Sequence, residues 1–267
     1  ELRTPLTLIS GPADMLAEGN NVSNEGREQV EMIRRNASIL TQMVGEILEF
    51  RKIQNDKAKL TLNRFELSSE LATWSNDFKI VAERKNITLK VDIKTEGNAI
   101  VIADKEKIAH IYFNLMTNAI KYTPNGGSIT STLEHANNKY TIAVTDTGKG
   151  LTEDDRKHIF DRFYQAKNSV GGTGIGLAIV KAYVELHHGT VGVDSEQGHG
   201  SRFFFSIPEE QPGYNPAEDI QEEIKNEPKL ADDYSVKDII TQQNISAITS
   251  TEDYDNNQPL LLVIDDN

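Results

Sequence analysis

Asn114-Leu-Met-Thr-Asn118-Ala-Ile-Lys121-Tyr122 is the stretch whose reading decides this chain. It closes a helical pattern over residues 104–122. Asn114 and Asn118, four apart, share a face, with His110 one turn earlier and Tyr122 one turn later. Carboxamide oxygens are neutral, hard donors that suit a magnesium ion already carrying phosphate oxygens. Lys121 offers a point charge for phosphate, and Tyr122 a flat ring for a purine. Alone, two such amides serve equally well as caps for neighbouring loops.

Two glycine-rich turns follow. Asp146-Thr-Gly148-Lys-Gly150 leaves a strand, so a buried Asp146 carboxylate is placed to accept an adenine amino hydrogen while glycine backbone approaches the base. The same letters also make an ordinary Asp-x-Gly turn. Gly172-Thr173-Gly174-Ile175-Gly176-Leu177 opens a helix, and unshielded amides at a helix start bind phosphate. No strand precedes it, so it is not a dinucleotide fingerprint. Between the turns, residues 151–170 carry Phe160 and Phe163 and read as a glycine-hinged lid, with either ring also suited to a core position. The two carboxamides, the lysine and the glycine turns are expected to border one cavity.

Outward from these motifs the chain divides. Residues 1–19 and 24–54 read as two helices. In the second, Val30, Ile33, Ala37, Leu40, Val44, Ile47 and Arg51 step by three and four, the seam of a bundle. Two helices cannot enclose that seam, so residues 1–54 predict a four-helix bundle made by a homodimer; a hairpin packed on its own next domain is the alternative. Residues 55–62 form a joint. Residues 63–207 mix helices (66–85, 104–122, 174–188) with strands (87–93, 127–134, 140–146, 190–195, 201–207), a two-layer α/β sandwich. The fold class is α+β. Residues 208–258 lose apolar signal and read as an acidic linker, and 259–267 as one buried strand ending in Asp265 and Asp266.

Charge follows the same division. Of a net −13, residues 209–258 hold 13 Asp/Glu against 3 Lys, a net of −10. Acidity therefore belongs to the tail, and nothing basic is clustered for nucleic acid. The absence of cysteine excludes disulfides and thiolate metal sites. No apolar run nears the roughly 18 residues of a membrane span.

The segments 114–122, 146–150, 160–163 and 172–176 resemble the N, G1, F and G2 boxes of bacterial sensor histidine kinases, of the GHKL (Bergerat-fold) ATPases. Gly198-His-Gly200-Ser-Arg-Phe203 is similar to their last glycine turn. Glu1-Leu-Arg-Thr4-Pro5-Leu6 resembles their phosphoacceptor box in all but its first residue. Residues 260–266 look like the first strand of a receiver domain, which implies a hybrid kinase ending just inside its receiver.

The resemblance implies ATP and Mg2+ as cofactors. Asn114 and Asn118 would hold the metal–nucleotide complex, Lys121 phosphate and Tyr122 adenine. Asp146 would select adenine; Gly148, Gly150, Phe163, Gly172, Thr173, Gly174, Ile175, Gly176 and Leu177 would shape pocket and lid. Glu1 would draw the proton from the acceptor imidazole, and Thr4 would position water for the reverse reaction. The acceptor histidine belongs immediately before Glu1; none of His110, His135, His158, His187, His188 or His199 has its context. His110 is assigned to the nucleotide-site helix, and His187-His188 to a helix end facing its dipole. Implied partners are a second copy of the chain and a receiver domain, fused or on a separate response regulator. The implied location is the cytoplasmic part of a sensor anchored through upstream segments. A GHKL clamp ATPase would need glutamate in place of Asn114; the other alternative is a degenerate kinase that holds nucleotide and signals by shape alone, and the intact asparagines, lysine and glycines argue against such degeneracy.

Overall fold

The computed structural model describes Ile9 and residues 24–54, 59–166 and 173–214. Glu1, Thr4, Gly172, the first expected helix apart from Ile9, and the segments from residue 215 onward lie outside them.

Helix α1 spans Asn24–Gln54. Along its seam Val30 and Ala37 are buried, whereas Ile33, Leu40 and Ile47 remain 48, 49 and 41% exposed. Those three recur every seven residues, so the stripe left open in a single chain has coiled-coil spacing.

The second domain follows in the order β1 (Asn63–Glu66), α2 (Leu67–Asp77), α3 (Lys79–Arg84), β2 (Thr88–Lys94), β3 (Ile100–Ala103), α4 (Lys105–Tyr122), β4 (Ser128–Ala136), β5 (Lys139–Asp146), α5 (Glu153–His158), α6 (Gly176–Leu186), β6 (Thr190–Glu196) and β7 (Gly200–Pro208). Five strands form one sheet, β2-β4-β5-β7-β6, antiparallel except where β2 meets β4. β1 and β3 form a separate antiparallel pair. Alternation explains the two layers. Ile129 and Leu133 of β4, Ile142 and Val144 of β5, and Phe203, Phe205 and Ile207 of β7 are buried on the paired register. Fully burying each such side chain contributes about 1.5–3 kcal/mol. Between them Thr130, Thr132 and Arg202 stay partly exposed. This is the α+β sandwich expected from the strand and helix patterns.

Local differences have physical causes. The helix expected over 66–85 breaks at Phe78, whose ring is fully buried 5.2 Å from that of Phe113. Glu66 precedes its first residue and makes no side-chain cap bond, and Ser68 Oγ donates to Glu66 Oε1 at 3.1 Å. β1 and β3, four residues each, were too short to carry a period. Tyr112, fully buried, shares a 2.6 Å hydrogen bond with Ser75 Oγ, so its hydroxyl is not left unpaired in the core. Helix α6 ends with His188 rather than Gly189 in the left-handed region; His188 and Gly189 N–H donate back to Glu185 and Val184 carbonyls. Beyond β7 the chain stays tied to the domain, since Ile102 N–H donates to Glu209 O at 2.9 Å.

Candidate nucleotide site

Helix α4 carries the decisive stretch and is fastened at both ends. Asp104, buried, caps its start by accepting from Lys107 N–H at 3.1 Å. The Asp104 N–H donates to His187 Nε2 at 3.1 Å, which ties the start of α4 to the end of the adjacent α6. At the other end Lys85 Nζ donates to Ile120 O at 2.7 Å and Thr123 O at 3.2 Å, serving carbonyls that the helix cannot satisfy.

This fastening corrects one histidine assignment. His187 is not a cation facing a helix dipole: buried between Tyr183 O and the Asp104 N–H, it is neutral, its pKa lowered by burial to about 4. His110 lies edge-on to Tyr183 at 5.3 Å and is held to about 3, chiefly by burial. It packs α4 against α6.

Asn114 Nδ2 donates to His110 O at 3.1 Å, which leaves Oδ1 as the outward atom. A Cβ built on Gly176 would stand 2.5 Å from that oxygen, so the amide faces the very start of α6. Asn118 is half-buried one turn on. Lys121 and Tyr122 follow at the C-terminal end of the helix, about 12 Å from Asn114 at 1.5 Å per residue. They line a cavity of about 490 Å³ together with Thr123, Gly148 and Lys149. Lys121 Nζ and Lys149 Nζ lie 5.0 and 5.1 Å from the Tyr122 ring centre. Burial, and then the neighbouring Lys149 charge, lower the Lys121 pKa to about 8.

Asp146 closes β5 and its Oδ1 accepts from Gly148 N–H at 2.7 Å. Burial pushes the carboxyl pKa up, while bonds from the Gly148 and Ser201 backbone oppose that shift. Gly148 touches both sides: a Cβ there would lie 2.6 Å from Asp146 Oδ1 and 2.6 Å from Tyr122 O. The Asp146 turn therefore abuts the end of α4. Asp146 borders a second cavity of about 720 Å³, toward Thr152, Arg156 and Ser195, and Asn114, Asn118 and Gly174 border neither. Gly148 itself lines the first cavity, and its N–H holds Asp146 Oδ1. What the fold assembles is a line along α4, met by Gly148 at one end and Gly176 at the other.

The lid segment is partly described. Thr152 and Asp155 make a reciprocal capping box on α5, and Tyr164 Oη donates to Asp155 Oδ1 at 2.9 Å. Phe160 is half-buried, edge-on to Phe203 at 6.3 Å. Phe163 is 67% exposed, and its N–H donates to Gly174 O at 2.8 Å. Thr173 Oγ1 accepts from the Ile175 N–H at 3.1 Å; Ile175 is buried and Leu177 half-buried. Gly150 passes over the Glu196 carbonyl, where a Cβ would be 2.0 Å from the oxygen. The sequence reading did not single out Lys85, Lys149 or Glu46. Lys149 was legible as the basic residue inside the Asp146–Gly150 turn, whereas Lys85 and Glu46 gave no local signal.

Comparison with known proteins agrees with this geometry. Residues 103–211 match the family model described as histidine kinase-, DNA gyrase B- and HSP90-like ATPase. Residues 1–56 match that of the His kinase A phospho-acceptor domain. The chain belongs to the sensor histidine kinases. Among relatives of this histidine-kinase core, the sensor histidine kinase TmoS of Ectopseudomonas mendocina is 34% identical over 276 residues, covering 100% of this chain and 28% of TmoS. The sensor protein DivL of Caulobacter vibrioides is 35% identical over 214 residues, covering 80% of this chain and 27% of DivL. Full-length ShkA, solved in complex with AMPPNP, superposes with a TM-score of 0.68 at 29% identity, over 78% of this chain and 43% of that one. The histidine-kinase core described here thus spans little more than a quarter of the length of TmoS or DivL.

Proposed function

We propose that the chain is the core of an ATP-dependent protein-histidine kinase in two-component signalling. The observation that carries this reading is the meeting of Asn114 Oδ1 with the start of α6, on the same helix that brings Lys121 and Tyr122 to Gly148. Phosphoryl transfer asks little covalent chemistry of the protein; positioning and charge do most of the work. Asn114 and Asn118 offer the carboxamide oxygens that suit a nucleotide-borne magnesium, which would screen the phosphate charge when bound. Lys121 binds phosphate, Tyr122 and Asp146 the adenine, and the amides opening α6 the remaining phosphate oxygens. Gly148, Gly150, Gly172, Thr173, Gly174, Ile175 and Leu177 shape pocket and hinge, with Phe163 on the lid.

The acceptor is the histidine that the family places before the position of Glu1. Its imidazole nitrogen forms a P–N bond as the bond from the γ-phosphorus to the ADP oxygen breaks, and Glu1 takes the ring proton. Thr4 orients water for the reverse, phosphatase direction. The reacting atoms must come within about 3–3.5 Å, so the ATP domain moves against the bundle through the joint at 55–62. The open stripe Ile33, Leu40 and Ile47 supports a homodimer through residues 1–54. Relay passes to an aspartate on a receiver, fused beyond the acidic linker or carried by a separate response regulator. The core works on the cytoplasmic side of the membrane.

The test uses a longer protein that includes the residue before Glu1, incubated with γ-labelled ATP and magnesium. Acid-labile, base-stable label on the protein is expected, lost in Asn114→Ala and Asn118→Asp. Release of inorganic phosphate with no protein-bound label at any time point would replace the kinase by a simple ATPase.

A further inference from the structure

A side-chain hydrogen bond joins helix α1 to the glycine-rich entry of α6. Glu46, half-buried on α1, accepts at Oε2 a 2.5 Å hydrogen bond from Thr173 Oγ1. The same threonine oxygen accepts from Ile175 N–H at 3.1 Å. Thr173 is thus held between a bundle carboxylate and the backbone donor that leads into α6. Three residues on, Gly176 faces Asn114 Oδ1. A negative charge from outside the ATP domain therefore sits at the mouth of an 11-residue helix.

The start of such a helix carries about half a positive charge, concentrated on its first amides. A carboxylate gains from that field at short range. A triphosphate seeks the same field with more charge, and meets in Glu46 a like charge across a half-exposed gap. Both cannot be served fully at once. The Thr173 hydroxyl, moreover, has one proton, and that proton is committed to Glu46.

We propose that Glu46 is an affinity-determining residue of the nucleotide site. Through Thr173 its carboxylate occupies the positive entrance of α6 and opposes the triphosphate, whose arrival releases the bond between bundle and ATP domain. This rests on the nucleotide reading given above. The device is sensitive to phosphate charge and blind to the base. It also gives the bundle a handle on the nucleotide: a shift of α1 that removes Glu46 from Thr173 raises affinity, and by linkage nucleotide binding frees α1.

The experiment compares the chain with Glu46→Gln and Glu46→Ala, titrated with the ATP analogue AMPPNP, ADP and AMP in magnesium at low and high salt. Glutamine keeps the length and an acceptor oxygen, so it isolates charge from shape. Both variants should bind AMPPNP roughly two- to fivefold more tightly than the parent, the range for a half-exposed charge pair. The gain should shrink from AMPPNP through ADP to AMP and diminish with salt. Unchanged or weaker AMPPNP binding by Glu46→Gln overturns the proposal, as does an equal gain for AMP. Failure of the parent chain to bind AMPPNP at all would instead overturn the nucleotide reading beneath it.

Discussion

The Asn114 carboxamide oxygen and Gly176 stand so close that a methyl group on the glycine would lie 2.5 Å from Oδ1, well inside contact distance. The amide cannot simply rotate away, because its Nδ2 is bonded to the His110 carbonyl. Gly176→Ala should therefore displace Asn114 and weaken AMPPNP binding on the order of tenfold, equivalent to about 1.4 kcal/mol. Alanine is the better helix former by about 0.8–1 kcal/mol, so thermal stability should hold. Titration and melting on one sample check both halves. Unchanged affinity would remove Asn114 from the site.

Gly148→Ala meets a harder obstacle. Its Cβ would press on Asp146 Oδ1 and on the Tyr122 carbonyl, and the latter is backbone. Overpacking of this kind costs about 1–3 kcal/mol. A drop in denaturation midpoint together with lost nucleotide binding is expected. Wild-type stability would mean that the Asp146 turn and the end of α4 do not abut.

Lys121 sets a pH limit on binding. Its pKa in the free site is lowered to about 8, by burial first and by Lys149 second. Phosphate favours the charged form and raises that value on binding. The lysine contribution is thus complete well below pH 8 and declines as pH rises through it, by at most one log unit of affinity per pH unit. AMPPNP titrations from pH 6.5 to 9.5 should show the fall, and Lys121→Met should flatten it. Lys149→Met should move the fall slightly to higher pH, since burial remains.

His187 makes the fold acid-sensitive. Its folded pKa of about 4 lies below the ordinary 6.5, so its contribution is complete above pH 6.5 and is lost as pH falls toward 4. The unfolded chain binds the extra proton in that window, and stability there rises with pH. The shift corresponds to a ceiling of about 3 kcal/mol. Urea unfolding at pH 4.5, 5.5 and 7 should show it, and His187→Gln, which retains an acceptor for the Asp104 N–H, should reduce the slope to the part that buried His110, held to about 3, still supplies.

The stripe on α1 predicts the oligomer. Leu40 is 49% exposed between Ile33 and Ile47, and a charge there would be buried in any bundle made across that face. Leu40→Glu should shift the chain from dimer toward monomer in sedimentation equilibrium, with the melting of the ATP domain unmoved. A dimer of unchanged strength would place the interface elsewhere.

Much of the site was legible because its parts are local. Helical spacing alone puts Asn114 and Asn118 on one face, and the turn 146–150 bends where its glycines stand. The long strands β4, β5 and β7 show their period in the letters. β1 and β3 do not, since four residues hold too few alternations. The break at Phe78 was illegible for another reason: it is imposed by burial against Phe113, a partner from α4.

The amino-acid sequence by itself determined which chemical groups this chain brings to a nucleotide, and on which elements, since helix periodicity and turn chemistry act over a few residues. Only the tertiary structure decided how those groups meet. It turned Asn114 toward Gly176, set the Asp146 turn against the end of α4 through Gly148, buried His187 as a neutral acceptor, and set Glu46 against Thr173. Such pairings join residues far apart in the chain. They are fixed by how helices pack on the sheet and on one another, and no local run of letters encodes that packing.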